Sequence, residues 1–187
     1  AVLAFVGILT TSGIANADGE IVGRYYVEAG ALWADPGDVT ANFTDNIGTR
    51  STWALGDMEG LKLQIGGDFG HFRTDFKFRA MYGDIDSISG GVSAINATGT
   101  RKAEPAQIAV ATINAYFDIA DIEIAGDAFI TPYVGIGGGV GAGFLEASGT
   151  LAGVVREDHR NDSGTALTGT VGALFSVNDN VGISAEY

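Results

Sequence analysis

Cysteine is absent from this chain, so neither a disulfide framework nor a thiolate metal site can hold it together. Basic residues are scarce: ten Lys and Arg stand against 23 Asp and Glu, and the formal net charge of −13 excludes the basic footprint that nucleic acid requires. Histidine occurs twice, as His71 and His159. Neither stands beside a serine on a predicted strand, so no nucleophile meets a base and the chain is read as having no catalytic activity. Long apolar runs are missing too. No segment is apolar over the 18 or more residues of a spanning helix, so any insertion into a membrane would have to be by strands.

The one apolar run opens the sequence. AVLAFVGILTTSGIANADGE has nine uncharged apolar residues, then small and polar ones, then Ala15-Asn16-Ala17 before Asp18. That pattern reads as the apolar core and A-x-A cleavage site of a secretory leader over residues 1–17, without its initiator Met and basic start. The remainder, 18–187, is long enough for one domain.

What is plentiful is glycine, 29 residues, and alternation. In FRTDFKFRAMY (72–82), Phe72, Thr74, Phe76, Phe78, Ala80 and Tyr82 take one parity and Arg73, Asp75, Lys77 and Arg79 the other. A period of two sends these to opposite faces of a strand. GLKLQIGGDFG (60–70) sets Leu61, Leu63, Ile65 and Phe69 against Lys62, Gln64 and Asp68, and Gly70-His71 has the length of a hairpin turn. GRYYVEAGALW (23–33) sets Tyr25, Val27 and Trp33 against Arg24, Tyr26 and Glu28. Further strands are predicted at about 106–117, 129–142, 165–177 and 181–187.

The spacing between these strands alternates. Residues 34–60, 83–105 and 143–164 read as long polar loops, whereas 70–71, 118–128 and 178–180 are shorter. In an up-and-down antiparallel sheet all the long connections then fall at one end, the asymmetry of an outer-membrane barrel. Aromatics fall at both ends: Phe69, Phe72, Phe117, Phe129 and Phe175 beside the short turns, Trp33 and Tyr82 beside the long loops. The expectation is an all-β, up-and-down transmembrane barrel. Leu61, Leu63, Ile65, Phe72, Phe76 and Phe78 would face lipid, and Trp33, Phe69, Tyr82, Phe117, Phe129 and Phe175 would form aromatic girdles. A network of Arg24, Glu28, Lys62, Asp68, Arg73, Asp75, Lys77 and Arg79 would fill the lumen, where charges of both signs can offset their burial cost. Two other readings stay open: a narrow pore whose selectivity these charges set, and a soluble exported barrel of lipocalin type with Phe72, Phe76 and Phe78 turned inward around a ligand.

TINAYFDI (112–119), PYVGIGGGVG (132–141) and SVNDNVGISAEY (176–187) together resemble the eight-stranded outer-membrane barrels of the opacity and OmpA-like surface-antigen family. Asn114, Tyr116 and Asp118, then Pro132 to Gly139, then Asp179 to Tyr187 follow that family's order of motifs. The resemblance implies a monomer in the outer membrane of a Gram-negative bacterium, inserted by the barrel-assembly machinery among lipid and lipopolysaccharide. It also implies a surface role in envelope integrity, adhesion or antigenicity, with loops 34–60, 83–105 and 143–164 open to host or surface partners. Such barrels end on an eighth strand with a terminal aromatic residue, whereas this sequence stops at Tyr187 part-way along its seventh, so the resemblance implies a fragment cut at both ends whose C-terminal strand is missing.

Two motifs have bland readings. Gly137-x-Gly139-x-x-Ala142 is a form of the dinucleotide fingerprint, but no helical period follows it, so no cofactor is expected. Gly135, Gly137 and Gly139 share one parity instead and would leave room in a lumen. The acidic residues Asp35, Asp38, Asp45, Asp57, Glu59, Asp84 and Asp86 fit no calcium-loop spacing, and no metal site is expected.

Overall fold

The structure, a computed structural model, describes residues 3–15, 21–34, 43–44, 50–90, 101–103, 106–125, 128–151, 154–178 and 180–187. All regular elements among them are strands: β1 (Leu3–Ala15), β2 (Ile21–Ala34), β3 (Phe43–Thr44), β4 (Arg50–Asp68), β5 (Phe72–Gly90), β6 (Arg101–Ala103), β7 (Ala106–Asp118), β8 (Ile122–Ala125), β9 (Ala128–Leu151), β10 (Val154–Asn178) and β11 (Val181–Glu186). Every pairing is antiparallel. From β1 the ladder passes through β2, β4, β5, β7, β9, β10 and β11 and returns to β1, so eight strands curl into one ring. The short β3, β6 and β8 dock on β4 and β9.

The stagger of the ring follows from its registers. A walk from Ser184 through Gly7, Gly30, Lys62, Arg79, Val110 and Gly141 reaches Gly164 on β10, yet Ser184 itself pairs with Leu174, ten residues further along. Ten residues of stagger over eight strands tilt the strands by about 40°, so each residue climbs about 2.5 Å along the axis.

At one end the turns are tight. Phe69 N–H donates to Phe72 O at 2.8 Å, and Gly70 has φ of 86° at the first of the two central positions, where a II′ turn needs a positive φ. The connection 118–128 is less simple than its sequence, because β8 pairs with β9 and carries the ribbon past the turn.

At the other end the expected loops are corrected. Residues 50–60, 83–90, 143–151 and 154–164 are strand, and β9 and β10 stay paired as far as Leu151 and Val154. Ladder hydrogen bonds use the backbone alone, so polar Ser, Thr and Gly positions extend a ribbon without an apolar face to mark it. Residues 35–42, 45–49, 91–100, 104–105 and 152–153 lie outside the described set. Leu3–Ala15, which read as a leader, is here a strand flanked by β2 and β11. A 13-residue uncharged segment is too short for a spanning helix but long enough for a spanning strand.

Candidate functional site

The period-two pattern resolves into an inverted protein. Inward positions hold Glu28, Lys62, Arg73, Asp75 and Lys77, all buried, with Lys77 at 0% exposure and Lys62 at 1%. Lysine is almost never this buried without partners. Arg24, Asp68 and Arg79 share the inward parity and are half-buried. Leu61, Leu63, Ile65, Phe72, Phe76 and Phe78 point outward, with Leu61 68% exposed. The lipocalin arrangement needs Phe72, Phe76 and Phe78 inside; the structure turns all three out.

Trp33, Phe69, Tyr82, Phe117 and Phe175 are also outward and exposed. Phe129 is the exception. It shares parity with buried Thr131 and Tyr133 and is itself half-buried, because one residue of register moves a ring to the other face. Phe69 lies over Gly23 and Gly67, whose missing side chains leave its ring a seat.

Inside, two ion clusters tie the strands together. In the first, Lys62 Nζ lies 2.6 Å from Glu28 Oε1 and 3.0 Å from Glu186 Oε1, and Lys77 Nζ lies 2.9 Å from the same Glu186 oxygen. Glu28 also accepts from Gln64 at 2.8 Å and Ser184 at 2.5 Å, and Glu186 accepts from the Tyr133 hydroxyl at 3.3 Å. In the second, Arg73 donates through Nε and Nη2 to both oxygens of Asp118 at 2.8 and 2.7 Å, with its guanidinium 4.5 Å from the Tyr133 ring centroid. Asp75 lies between them, accepting from Tyr26 at 3.2 Å and Asn114 at 2.7 Å. Replacing Arg73 with lysine keeps the charge but loses the fork and the ring contact. A loss on the order of 2 kcal/mol in a denaturant titration is expected.

The glycines make this filling possible. A Cβ at Gly137 would overlap the side chain of Asn114 and come within 2.7 Å of Thr168 Oγ1, and one at Gly135 would enter the Tyr116 ring. Gly137→Val is therefore expected to destabilise the fold by about 1–3 kcal/mol. Gly169→Val, at an outward position with nothing within 4 Å, provides the control and should leave the unfolding midpoint in place.

Towards the long-strand end the interior changes character. Ala34, Leu55, Met58 and Ala106 form a buried cluster with Met81 and Ile108 packed against it. The column thus has a polar, cross-linked segment nearer the turns and an apolar stopper beyond it.

Sequence reasoning missed this stopper, and it missed Glu186, Asp118, Tyr26, Tyr133 and Ser184 as interior partners. Parity could have found Asp118, since Thr112, Asn114, Tyr116 and Asp118 alternate in step. Glu186 had no such signal, because β11 is short and its ion partners Lys62 and Lys77 are more than 100 residues away in sequence.

The outward face is a belt. One register row joins Trp33, Glu59, Tyr82, Gln107 and Phe144, and the Tyr82 hydroxyl donates to Glu59 at 2.6 Å. Asp57 and Asp84 are exposed just beyond it. From Phe72 at one rim to Tyr82 at the other, ten residue steps at about 2.5 Å span about 25 Å. Between the rims no outward position among the described residues carries a charge.

No family model, curated protein or solved structure matches this chain. The likeness of 112–119, 132–141 and 176–187 to the opacity and OmpA-like barrels thus rests on those residues alone.

Proposed function

We propose that this chain is a transmembrane β-barrel of a Gram-negative outer membrane, with a structural and surface-exposed role in envelope integrity, adhesion or antigenicity and no catalytic activity. One observation carries the reading: charges are buried and paired inside while an uncharged apolar belt about 25 Å tall faces out, the height and polarity of a lipid-facing barrel band. In water such a belt would be an apolar patch without a purpose. The barrel sits among lipid and lipopolysaccharide as a monomer, after insertion by the assembly machinery. The extended strands at the acidic rim offer the surface for host or neighbouring partners.

Ion pairs in the interior also suit a narrow channel, but the apolar stopper of Ala34, Leu55, Met58 and Ala106 argues for a closed column. The test is to refold the chain in detergent, compare gel mobility before and after boiling, and record conductance in planar bilayers. A mobility shift with a strand-type circular dichroism spectrum and silent bilayers is the expected result. A protein that stays monomeric in plain buffer and shows no shift sinks the membrane reading, whereas conductance altered by Arg79→Ala replaces the structural role with a channel.

A further inference from the structure

One side chain of the stopper is out of step with its own strand. On β4, Met58, Gly60, Lys62 and Gln64 take the inward parity, and Leu61, Leu63 and Ile65 take the outward one. Leu55 belongs by count to the outward set, yet it is buried with Ala34, Met58 and Ala106. The pairing with β5 accounts for this. Met58 pairs with Gly83 and Ala54 with Ser87, two pairs of one continuous register, but between them Leu55 pairs with Ile85, so the ladder slips on both sides of Leu55. Paired residues share a face, and position 85 stands in step with Met81 and Gly83 on the inward side. A slip of this kind re-aims a side chain, as a bulge does.

Without the slip, the same register would set Gly56 opposite Ile85 inside, with Leu55 opposite Asp86 and Asp57 opposite Asp84 outside. That ladder has two faults. It offers the stopper a glycine in place of a leucine, which instead emerges beyond the rim. It also sets Asp57 and Asp84, both exposed, directly across from each other, where like charges destabilise a strand pair. The slipped chain has room at Gly83, where a Cβ would strike the Asp57 carbonyl and come within 2.7 Å of Met58 Cγ.

We propose that the stopper is a seal with two registers, in which Leu55 moves between the interior and the outer surface and the repulsion of Asp57 and Asp84 holds it in. In the open register Gly56 takes the place of Leu55, and the stopper loses one large apolar side chain. Water from the long-strand end then gains a path to the Lys62–Glu28 pair, since Lys62 lies two inward positions below Met58, about 10 Å along the axis. The register is the same below Met58 and above Ala54, so the exchange is confined to residues 55–57 and 84–86 and leaves the ring intact. Loss of charge at the two aspartates favours the open register. The seal is independent of whether lipid or water covers the belt.

The test follows backbone Overhauser contacts between β4 and β5 in the full 187-residue chain refolded in detergent. The unchanged chain should show Leu55 opposite Ile85. Asp57→Asn combined with Asp84→Asn should move Gly56 opposite Ile85 and Leu55 opposite Asp86 in about half the molecules or more. Because the chain has no cysteine, Leu55→Cys adds a second readout. Its modification by a charged thiol reagent should be at least about tenfold slower than that of the exposed Asp162→Cys, and the two asparagine changes should bring the rates within about threefold. A regular ladder in the unchanged chain overturns the seal. So does a double variant that keeps Leu55 opposite Ile85 and its cysteine protected, which would make the slip a fixed bulge set by packing alone.

Discussion

Replacing Glu186 with alanine is expected to cost about 3–5 kcal/mol of folding free energy, the range for breaking a buried ion pair from one side. Its carboxylate is shared by two ammonium groups, Lys62 at 3.0 Å and Lys77 at 2.9 Å, and both lysines are fully buried. Lys62 keeps Glu28 at 2.6 Å, so the group left without its ion-pair partner is Lys77. That assigns a rescue: Lys77→Met in the Glu186→Ala background removes the stranded charge and should recover a large part of the loss. Urea titration of the four proteins of this cycle in detergent measures the coupling. Additive effects would mean that water reaches the cluster and that the interior is not a sealed column.

A charge placed on the outer face should show the opposite economy from one placed on an ordinary protein surface. Leu63 is exposed in mid-belt, in the register row of Ala29 and Phe78. If lipid covers it, Leu63→Arg costs about 2–4 kcal/mol, whereas Asp57→Arg beyond the rim costs at most about 1 kcal/mol. If water covers it, an exposed substitution stays within about 0.5 kcal/mol. Folding equilibria into lipid vesicles separate the two cases. A neutral Leu63→Arg would sink the membrane reading at its strongest point.

The inward and outward faces of β2, β4 and β5 were legible because strict alternation leaves a one-residue slip no room: Lys77 and Phe76 cannot exchange faces without every neighbour following. The tall ribbon of β9 and β10 was not legible, because in 143–164 polar residues and glycine blur the alternation and only the backbone register shows the pairing. Phe129 was misplaced for a related reason, since closeness to a turn says nothing about parity. The interior network was legible in kind but not in wiring. Lys62 and Lys77 announced that anions must lie near them, while the carboxylate they share comes from the far end of the chain. The apolar stopper escaped because Ala34, Met58 and Met81 stand at polar-parity positions, where a sequence pattern counts them as noise.

The position of Glu186 also orders events in time. It lies 124 residues from Lys62 and 109 from Lys77 along the chain, so neither bridge can form until the last strand meets the fourth and fifth. Until then both ammonium groups must remain hydrated, and water must stay in the column as the ring assembles. Final drying and ion pairing are then one late step. Contacts absent from the transition state govern how fast a fold comes apart rather than how fast it forms. The two lysines and their shared carboxylate therefore act as a clasp on the lifetime of the closed ring, and weakening them should accelerate opening while leaving assembly at its original pace.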